Sequence, residues 1–317
     1  DIPSGVNGDD GLSDPLALKA NQTVTFFRQK CGHVLEPGKS VCGDIILKDI
    51  GIRSDVISDT GFAALENCMD LWFRDLPARG GSDHKYKFGH AKIYGAEQMT
   101  GASRMAAEAC ARIGSGLTTV VSSCSGDVYR CTLPPHIIVR DDLSWEDARI
   151  SAVLAGPGGM PSELDLEPEI ARGRSLVLDA DAVQAAPTML HERVVLTPHE
   201  GEFARAFPHL NEGSRINRAA RAAQETGAVI VLKGGDTVIA HPGCMPVVNT
   251  NAPPGLATAG TGDVLAGMIA GLCAQGMQPF EASCAAVWIH GRTAGSCGSH
   301  LVATDLIERL KSIDEMF

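Results

Sequence analysis

The sequence has no basic run and no long apolar run. Its 27 Lys and Arg are outnumbered by 38 Asp and Glu, so the formal net charge is −11. Proteins that neutralise nucleic-acid phosphates need clustered cations, and this charge balance therefore argues against a nucleic-acid binder. No apolar stretch approaches the roughly 20 residues that a transmembrane helix requires. We expect neither nucleic acid nor a membrane as a partner.

The sequence also lacks the signatures of several common nucleotide-binding and metal-binding classes. No Walker A pattern occurs, and the glycine turn at residues 156–158 fails the Gly-x-Gly-x-x-Gly spacing at Pro161. Cysteine occurs 10 times, but with no Cys-x-x-Cys pair. These absences disfavour a P-loop enzyme, a Rossmann dehydrogenase and a zinc site. They favour buried, reduced thiols in a cytoplasmic protein.

The chain begins without a Met, and no signal peptide is visible at its start. We therefore expect a processed chain or a fragment of a longer protein. Its 317 residues are typical of one large domain plus an appendage. Residues 1–57 fit the appendage, because short β-type runs at 23–27 and 44–50 without an amphipathic helix cannot form an independent core. Residues 53–59 are predicted to be a linker, and residues 61–72 a helix.

From residue 80 onward, short apolar runs alternate with helical patterns. Apolar runs without internal alternation are typical of strands buried on both faces, hence of a largely parallel sheet with helices on both sides. The predicted strands are 92–94, 117–121, 152–155, 175–178, 194–196 and 230–232, and a helix is predicted at 101–113. We therefore predict an α/β fold whose ligands bind at the carboxyl ends of the strands.

The residues that follow these strands are candidates for chemistry. Asp179 and Asp181 either bind a metal or substrate, or they cap the following turn. His199 is a candidate ligand-binding residue, although a lone His is more often a surface group with satisfied hydrogen bonds. Lys233 suits a phosphate, and the alternative is a solvated lysine at the end of a strand.

The stretch of residues 249–276 carries the most specific local pattern. Residues 259–262 can form a tight glycine turn, and from Asp263 the apolar residues follow a helical period as far as Gln275. A turn that feeds a helix start directs N–H groups and the positive end of the helix dipole at one point, which is an anion site. Asp263 is placed there to take a proton from a hydroxyl that attacks a phosphate, so we predict a general base. The alternative is that Asp263 only caps the helix.

Together, these stretches resemble a known family. The segments 84–90, 99–102, 156–158, 177–182, 197–203, 233–237, 259–263, 288–292 and 301–306 are similar to the motifs of ADP-dependent NAD(P)H-hydrate dehydratase, a member of the ribokinase-like superfamily. The resemblance covers about residues 60–317. It implies a three-layer α/β/α fold with a largely parallel central sheet.

Residues 1–57 resemble the C-terminal tail of NAD(P)H-hydrate epimerase, which in many bacteria is fused ahead of the dehydratase. The resemblance implies a Rossmann-like remnant at 1–57 and a dehydratase domain at 58–317. Asp1 matches the residue that meets substrate, and Ser4 the one that meets a potassium ion. The Asn-Asn-Gly-Gly-Asp-Gly motif of the epimerase is absent from this chain. We expect epimerisation of the R and S hydrates from the intact parent protein, and none from this chain as it stands.

The resemblance also implies a reaction, a hydro-lyase step in nicotinamide nucleotide repair. ADP phosphorylates the ring hydroxyl of the S form of hydrated NADH or NADPH, and elimination of phosphate then leaves NAD(P)H and AMP. The implied cofactor is Mg²⁺, ADP (or ATP) is the co-substrate, and K⁺ belongs to the epimerase part. As to assembly, we expect a homo-oligomer, with a homotetramer as one option.

The resemblance assigns the residues of the site as well. The hydrate is expected to contact Ala102, Gly158, His199 and Asp263, and the adenine nucleotide Lys233, Gly234, Gly235, Asp236, Thr237 and Gly262. The expected anion hole is formed by Ala259, Gly260, Thr261 and Gly262.

Two other functions fit the same scaffold. A ribokinase-like kinase of a vitamin precursor or a sugar would share the Asp263 motif and would stop at the phosphorylated product. A non-catalytic nucleotide-binding paralogue would share the fold alone. Retention of Asp263 behind a complete glycine turn argues against the paralogue.

Overall fold

Short runs of Val, Ile, Leu and Ala build one 10-stranded sheet and, separately, a pair of strands near the N-terminus. The computed structural model describes residues 1–57 and 61–311. The strands are β1 Gln22–Phe26, β2 Asp44–Lys48, β3 Leu65–Glu66, β4 His90–Tyr94, β5 Leu117–Val121, β6 Ile138–Arg140, β7 Ile150–Ala155, β8 Ser175–Leu178, β9 Val194–Leu196, β10 Val229–Leu232, β11 Val238–Ala240 and β12 Val247–Val248.

The large sheet has the strand order β3-β12-β11-β10-β9-β8-β7-β4-β5-β6. Of these strands, β11 alone runs against its neighbours β10 and β12. The prediction of a largely parallel sheet is therefore confirmed. In the parallel register, Leu154 of β7 pairs with Val177 of β8, and Val177 pairs with Val195 of β9. Because the register is even, these strands end at one edge, where the candidate polar residues follow them.

Helices cover both faces of the sheet. They are α1 Cys31–Val34, α2 Gly38–Cys42, α3 Thr100–Arg112, α4 Gly126–Thr132, α5 Glu167–Ala171, α6 Asp181–Ala185, α7 Glu200–Ala206, α8 Arg215–Thr226, α9 Thr261–Ala274, α10 Pro279–Gly295 and α11 Ala303–Arg309. Short 3₁₀ turns lie at Ser54–Val56, Met69–Leu71, Phe73–Asp75, Lys85–Phe88, Pro208–Leu210 and Pro254–Leu256. In residues 1–57 and 61–311, no helix combines the length and apolar character needed to cross a membrane.

The two faces of each strand belong to different cores. In β8, Val177 packs in the core under α3, α9, α10 and α11. Its neighbours Leu176 and Leu178 pack in the opposite core, under α6, α7 and α8. Side chains of a strand alternate between faces, so a run that is apolar at every position is buried on both sides. This arrangement is the expected three-layer α/β/α fold.

Several local predictions were wrong. Residues 61–72 do not form a helix: β3 pairs with β12 at the edge of the sheet, and a 3₁₀ turn follows. Asn67 fixes this course, because its side chain donates to Cys284 O at 2.8 Å and accepts from the Trp72 indole at 3.2 Å. The end of the predicted linker, residues 58 and 59, lies outside the described residues.

The ten cysteines are all free thiols, as predicted, but not all are buried. The exposed ones are Cys68, Cys124, Cys131 and Cys244. No amphipathic helix was predicted for residues 1–57, but two helices, α1 and α2, occur there. Each spans little more than one turn, so its sequence shows no clear periodicity.

The N-terminal unit, residues 1–57, is a small β-α-α-β arrangement in which β1 and β2 pair in parallel. It lies against the large sheet domain through Leu35, which is fully buried in the core beside α7 and α8. On its other side, Val24, Phe26 and Leu47 are 40, 41 and 46% exposed. The unit is therefore anchored at one end and leaves apolar strand residues open to solvent at the other.

Close packing of α9 on α3 sets the position of the α9 N-terminus. A Cβ at Gly267 would lie 2.1 Å from Ala106 O, and one at Gly271 would lie 2.3 Å from Ile113 Cγ2. A side chain at either glycine of α9 would therefore push α9 and α3 apart. The glycine pair places the N-terminal turn of α9 at the carboxyl edge of the sheet.

We predict that Gly267→Ala destabilises the protein by about 1–3 kcal/mol, the usual cost of overpacking a core. The matched control is Gly295→Ala, because Gly295 is exposed, lies at the end of α10, and has nothing within 4 Å of an added Cβ. Removing a helix glycine there is expected to stabilise by up to about 1 kcal/mol. Thermal denaturation of both variants measures the difference, and equal melting temperatures would contradict the proposed helix contact.

Candidate active site

The polar residues that follow three neighbouring strands meet at the carboxyl edge of the sheet. Asp179 follows β8 and is 2% exposed. Its Oδ1 accepts from Thr197 Oγ1, after β9, and from Lys233 Nζ, after β10, each at 2.7 Å. A buried carboxylate needs such partners to remain charged. Asp179 therefore holds the Lys233 ammonium in place, whereas Asp181 begins α6 and is exposed.

The glycine turn before α9 is shaped by its own residues. Gly260 adopts φ 88°, a left-handed conformation that favours glycine. The Thr261 hydroxyl is hydrogen-bonded to Leu256 O and Thr258 O at 2.9 and 3.0 Å. The first intrahelical bond is from Val264 N to Gly260 O. The N–H groups of residues 261–263 precede that bond, so they are the free donors of the helix start.

Lys233 lies directly beside this helix start. Its Nζ is 3.4 Å from the point that a Cβ on Gly262 would occupy. An ammonium group, free N–H donors and the positive end of a helix dipole are thus brought together at one point. This arrangement can bind the phosphates of a nucleotide.

Asp263 lies in the first turn of the same helix. Burial, followed by repulsion from Asp179, raises the pKa of Asp263 to about 6, while Lys233 opposes the rise. Glu202 adds a smaller repulsion. No hydrogen bond contributes to the shift, and α9 has no side-chain cap. The capping alternative is therefore not supported, and Asp263 has the basicity of a group that exchanges protons near neutral pH.

A cleft of about 560 Å³ opens beside this point. Its polar lining includes Lys233, Thr261 and Gly262, and its apolar lining includes Leu265 and Val287. The remaining lining residues are Glu36, Lys39, Ser40, His199, Gly234, Gly235, Thr237, Asn249, Ala252, Pro253, Pro254, Leu256, Ala257 and His290. The volume and the mixed lining suit a small nucleotide.

A second cavity, of about 450 Å³, lies elsewhere and is lined by many carboxylates. Among them are Asp141, Asp142, Glu146 and Glu163. Such a lining repels a diphosphate, because like charges in a confined cavity raise its electrostatic energy. The cleft beside α9 is therefore the candidate site.

His199 caps α7 at the mouth of the cleft. Its Nδ1 accepts from Gly201 N at 3.0 Å and from Glu202 N at 3.3 Å. Nε2 therefore carries the ring proton, 3.3 Å from Glu202 Oε1. The side chain is still 56% exposed. Capping fixes the ring, and a ligand at the mouth can reach it.

Ala102 and Gly158 are neighbours of each other. A Cβ on Gly158 would lie 3.0 Å from the Ala102 Cβ and 2.3 Å from Met99 O. Neither residue lines the nucleotide-sized cleft. Met105, one turn further along α3 than Ala102, touches the position of a Cβ on Gly260. The two predicted hydrate contacts therefore lie near the N-terminus of α9.

The loop 233–237 is partly turned inward. Gly234 N donates to Thr237 Oγ1 at 3.1 Å, which closes the loop on itself. Asp236 is 2% exposed and is paired with Arg215 Nε at 3.2 Å. Burial raises the pKa of Asp236, and Arg215 opposes the rise. The Asp236 side chain thus shapes the loop, while its neighbours face the cleft.

Several cleft residues were not anticipated from the sequence. Val287 of α10 lies outside every stretch that the sequence singled out, and Asn249, Leu265 and His290 lie within the stretches 249–276 and 288–292 without an assigned role. Burial lowers the pKa of His290 to about 4, so the ring is neutral at pH 7. Its Nε2 has no hydrogen-bond partner in the described part of the chain. Long-range packing alone brings these side chains to the cleft.

The predicted epimerase residues lie in the N-terminal unit and do not line the cleft. The Asp1 carboxylate accepts from Thr25 Oγ1 at 2.6 Å and is paired with Lys30. His33 Nε2 is 2.8 Å from Asp1 O. Ser4 is exposed.

Comparison with known proteins identifies this arrangement. A family model described as NAD(P)H-hydrate dehydratase matches residues 92–313. The chain belongs to the NAD(P)H-hydrate dehydratase family. It is 33% identical to the bifunctional NAD(P)H-hydrate repair enzyme of Moorella thermoacetica and 35% identical to that of Coxiella burnetii, in each case over 98% of this chain. It spans 65% and 68% of the length of these two relatives.

Solved structures give the same assignment. An ADP/ATP-dependent NAD(P)H-hydrate dehydratase from Bacillus subtilis, co-crystallised with ATP and Mg²⁺, is 30% identical with a TM-score of 0.63. The match covers 80% of this chain and 98% of that one. A ribokinase-like superfamily protein from Enterococcus faecalis is 29% identical with a TM-score of 0.69, over 80% and 96% of the two chains. The dehydratase domain is therefore ribokinase-like, as the sequence predicted.

The pKa of Asp263 predicts a change in stability for this member of the dehydratase family. Because the folded pKa, about 6, exceeds the ordinary value of 3.8, the charged carboxylate destabilises the fold. This cost is complete above pH 6 and vanishes below the unfolded pKa. Asp263→Asn should therefore raise the melting temperature at about pH 8, and the gain should shrink as the pH falls towards 5.

The control is Asp181→Asn, at the exposed N-terminus of α6. Loss of a negative charge at a helix start removes a favourable dipole interaction, so this variant should not gain stability. Thermal denaturation across the pH range measures both. A melting temperature for Asp263→Asn below that of the wild type at pH 8 would mean that the Asp263 charge stabilises the fold.

Proposed function

We propose that this chain dehydrates the S form of hydrated NADH or NADPH while ADP (or ATP) supplies a phosphoryl group. The observation that carries the proposal is the juxtaposition of Asp263 with Lys233 and the α9 N-terminus, beside the cleft that Lys233 and Gly262 line. A base, a cation and a set of free N–H donors are the groups that phosphoryl transfer to a hydroxyl requires. Membership of the dehydratase family and the ATP/Mg²⁺ complex of the Bacillus subtilis relative support the same reaction.

We place the nucleotide along the cleft. The phosphates would lie at Lys233 and Gly262, where the positive charge is concentrated. The adenine would lie against Leu265 and Val287, because an apolar wall suits the faces of the base. The loop 233–237 would contact the nucleotide between these two ends.

The hydrated dinucleotide would approach from the side of α3. Ala102 and Gly158 carry no long side chain of their own, Met105 beside them contacts Gly260, and His199 lines the cleft. Asp263 takes the proton of the ring hydroxyl as that oxygen attacks the terminal phosphorus of ADP. The bond from that phosphorus to the AMP oxygen breaks. Elimination then releases phosphate from the ring carbon and a proton from the adjacent carbon, which restores NAD(P)H.

The anion hole, residues 259–262, acts on the charge of the transferring group. Preorganised N–H donors stabilise charge in a transition state, and losing one typically costs about 10²–10³ in rate. Here the donors are fixed by Gly260 and by the Thr261 hydroxyl, which holds the turn closed. Ala259 continues the same turn and is exposed.

The fit of Mg²⁺ to this site follows from its carboxylates. Residues 1–57 and 61–311 contain no group of three or more His, Cys, Asp or Glu side chains that could hold a metal by itself. Mg²⁺ commonly binds through one or two carboxylates plus substrate phosphates. Asp179 and Glu202 would hold it from the protein side while sharing their charge with Lys233, whose Nζ lies 2.7 and 3.9 Å from them, and the phosphates would supply the remaining ligands. Bound Mg²⁺ neutralises charge on the phosphates.

We further propose two functional segments: an epimerase segment at 1–57 and the dehydratase domain at 58–317. In a protein that also carries the rest of the epimerase fold, Asp1 would contact the hydrate for epimerisation. The Asp1 carboxylate is already paired with Lys30. To hold K⁺, Ser4 would therefore need further ligands from the rest of that protein. We also propose a homo-oligomer, for which a homotetramer is one arrangement, and a cytoplasmic location, which the ten free thiols support.

The direct test of the function is an assay with hydrated NADH, ADP and Mg²⁺. The dihydronicotinamide absorbance should return, and AMP and phosphate should accumulate in equal amounts with it. A kinase of a sugar or vitamin precursor, the alternative function, would instead form AMP only with such an alcohol and would accumulate its phosphorylated product. That result would replace the dehydratase proposal.

Asp263→Asn should lower turnover by about 10²–10⁴, the usual contribution of a positioned general base. Asparagine is close to isosteric, so the fold and ADP binding should be retained. Steady-state kinetics with circular dichroism and calorimetry measures the two effects separately. Normal turnover by the folded variant would remove Asp263 from the reaction.

The activity should also depend on pH through Asp263. A general base must be deprotonated, so kcat/KM for the hydrate at saturating ADP should fall as the pH drops below about 6. A bound anionic nucleotide repels the Asp263 carboxylate, so it moves the inflection to a higher pH. An inflection near 4, the ordinary value of an aspartate, would contradict the assignment of Asp263 as the base.

A further inference from the structure

The N-terminal unit reaches into the nucleotide cleft. Glu36, Lys39 and Ser40, all from residues 31–42 that connect β1 and β2, are among its lining residues. These residues belong to the segment that resembles an epimerase, and neither the sequence motifs nor the family match at 92–313 includes them. The cleft is therefore built from both parts of the chain.

Lys39 bridges two loops of the dehydratase domain. Its Nζ donates to Gly235 O at 2.9 Å and to Thr250 O at 3.2 Å. Gly235 belongs to the loop after β10, and Thr250 follows β12. Both loops contribute residues to the cleft lining, and Asn249 N donates to Thr237 O at 2.8 Å between them. One side chain from the N-terminal unit therefore adds a second link between these two loops.

A second contact fixes the same loop. Glu36 N donates to Asp236 Oδ2 at 2.9 Å, and Asp236 is also paired with Arg215. The adjacent Leu35 is fully buried in the core beside α7 and α8. The Glu36 carboxylate in turn accepts from the Ser40 hydroxyl at 2.6 Å. Residues 35–40 are thus held against the large sheet domain by packing and by hydrogen bonds.

The charge of Lys39 suits the proposed ligand. An ammonium group has three donors, and the two carbonyls occupy two of them. The positive charge is retained, and it lies in a cleft whose proposed occupant is an anionic nucleotide. Hydrogen bonds with a charged partner are stronger than neutral ones, which makes this bridge more effective than a hydroxyl would be.

We infer that residues 36–40 are part of the nucleotide site and that Lys39 is its positioning residue, so that docking of the N-terminal unit and binding of ADP are thermodynamically linked. The inference rests on the proposed function for the identity of the nucleotide. Lys39 acts through the loops at Gly235 and Thr250. By linkage, the factor by which docking of the N-terminal unit changes the ADP affinity equals the factor by which bound ADP changes the docking equilibrium.

The test compares Lys39→Met with Lys48→Met in the full chain. Lys48 is an exposed lysine at the end of β2 in the same unit, so it controls for loss of one positive charge. Titration calorimetry with Mg-ADP should show the Kd raised at least about fivefold in Lys39→Met, the lower end of typical coupling, and unchanged in Lys48→Met. Lys39→Arg, which keeps the charge and donors, should restore part of the affinity.

Kinetics separates positioning from a general structural effect. In Lys39→Met, KM for ADP should rise, while kcat and KM for the hydrate should remain within about twofold of wild type. A fall in kcat and a rise in both KM values by the same factor would indicate a general structural role and would overturn the inference. If the wild type binds ADP and Lys39→Met binds it with the same affinity, the inference is also overturned.

Hydrogen exchange on the wild type provides a readout that does not depend on any variant. Saturating Mg-ADP should slow exchange of the backbone amides of residues 31–42, with a concentration dependence equal to that of ADP binding. Amides of β6, at the far edge of the sheet, provide the internal control. Protection of the loop 233–237 without protection of 31–42 would show that the unit is not linked to the site. Absence of ADP binding by the wild type would instead overturn the proposed function, and this inference with it.

Discussion

The ion pair between Asp179 and Lys233 is the interaction on which the site depends. It joins the ends of β8 and β10 across β9, and its Asp179 carboxylate is also held by Thr197. A lysine at the end of a strand is ordinarily a mobile, solvated group. Here a buried carboxylate fixes it beside the first turn of α9, so its charge is directed at the same point as the helix dipole.

The same buried surroundings determine the chemistry of Asp263. Removing the Asp263 carboxylate from water raises its pKa, and the nearby Asp179 raises it further, so Asp263 becomes more basic than an ordinary aspartate. The close contact of α9 with α3 at Gly267 is what places Asp263 there. Fold, charge and basicity are thus consequences of one packing arrangement at the carboxyl edge of the sheet.

The sequence predicted the fold class and most strands, because apolar runs and glycine turns are local signals. The site residues around Asp263 stay a prediction, although the structure brings Lys233 and Gly262 together there. It failed where the outcome depends on distant partners. The segment 61–72 contains the edge strand β3 and no helix, because β12 is available to pair with it. Lys39 and Val287 reach the cleft through tertiary packing, which leaves no periodic or spacing signal in a single chain.

The central claim is that the ring hydroxyl of the hydrate is phosphorylated at this site before it leaves. Hydrate labelled with ¹⁸O in that hydroxyl tests it directly, by mass spectrometry of the phosphate formed with ADP and Mg²⁺. Transfer to the hydroxyl followed by elimination carries the ¹⁸O into inorganic phosphate, one label for each NAD(P)H formed. Recovery of the label in water, with unlabelled phosphate, would mean that dehydration and ADP cleavage are separate events and would contradict the role given to Asp263.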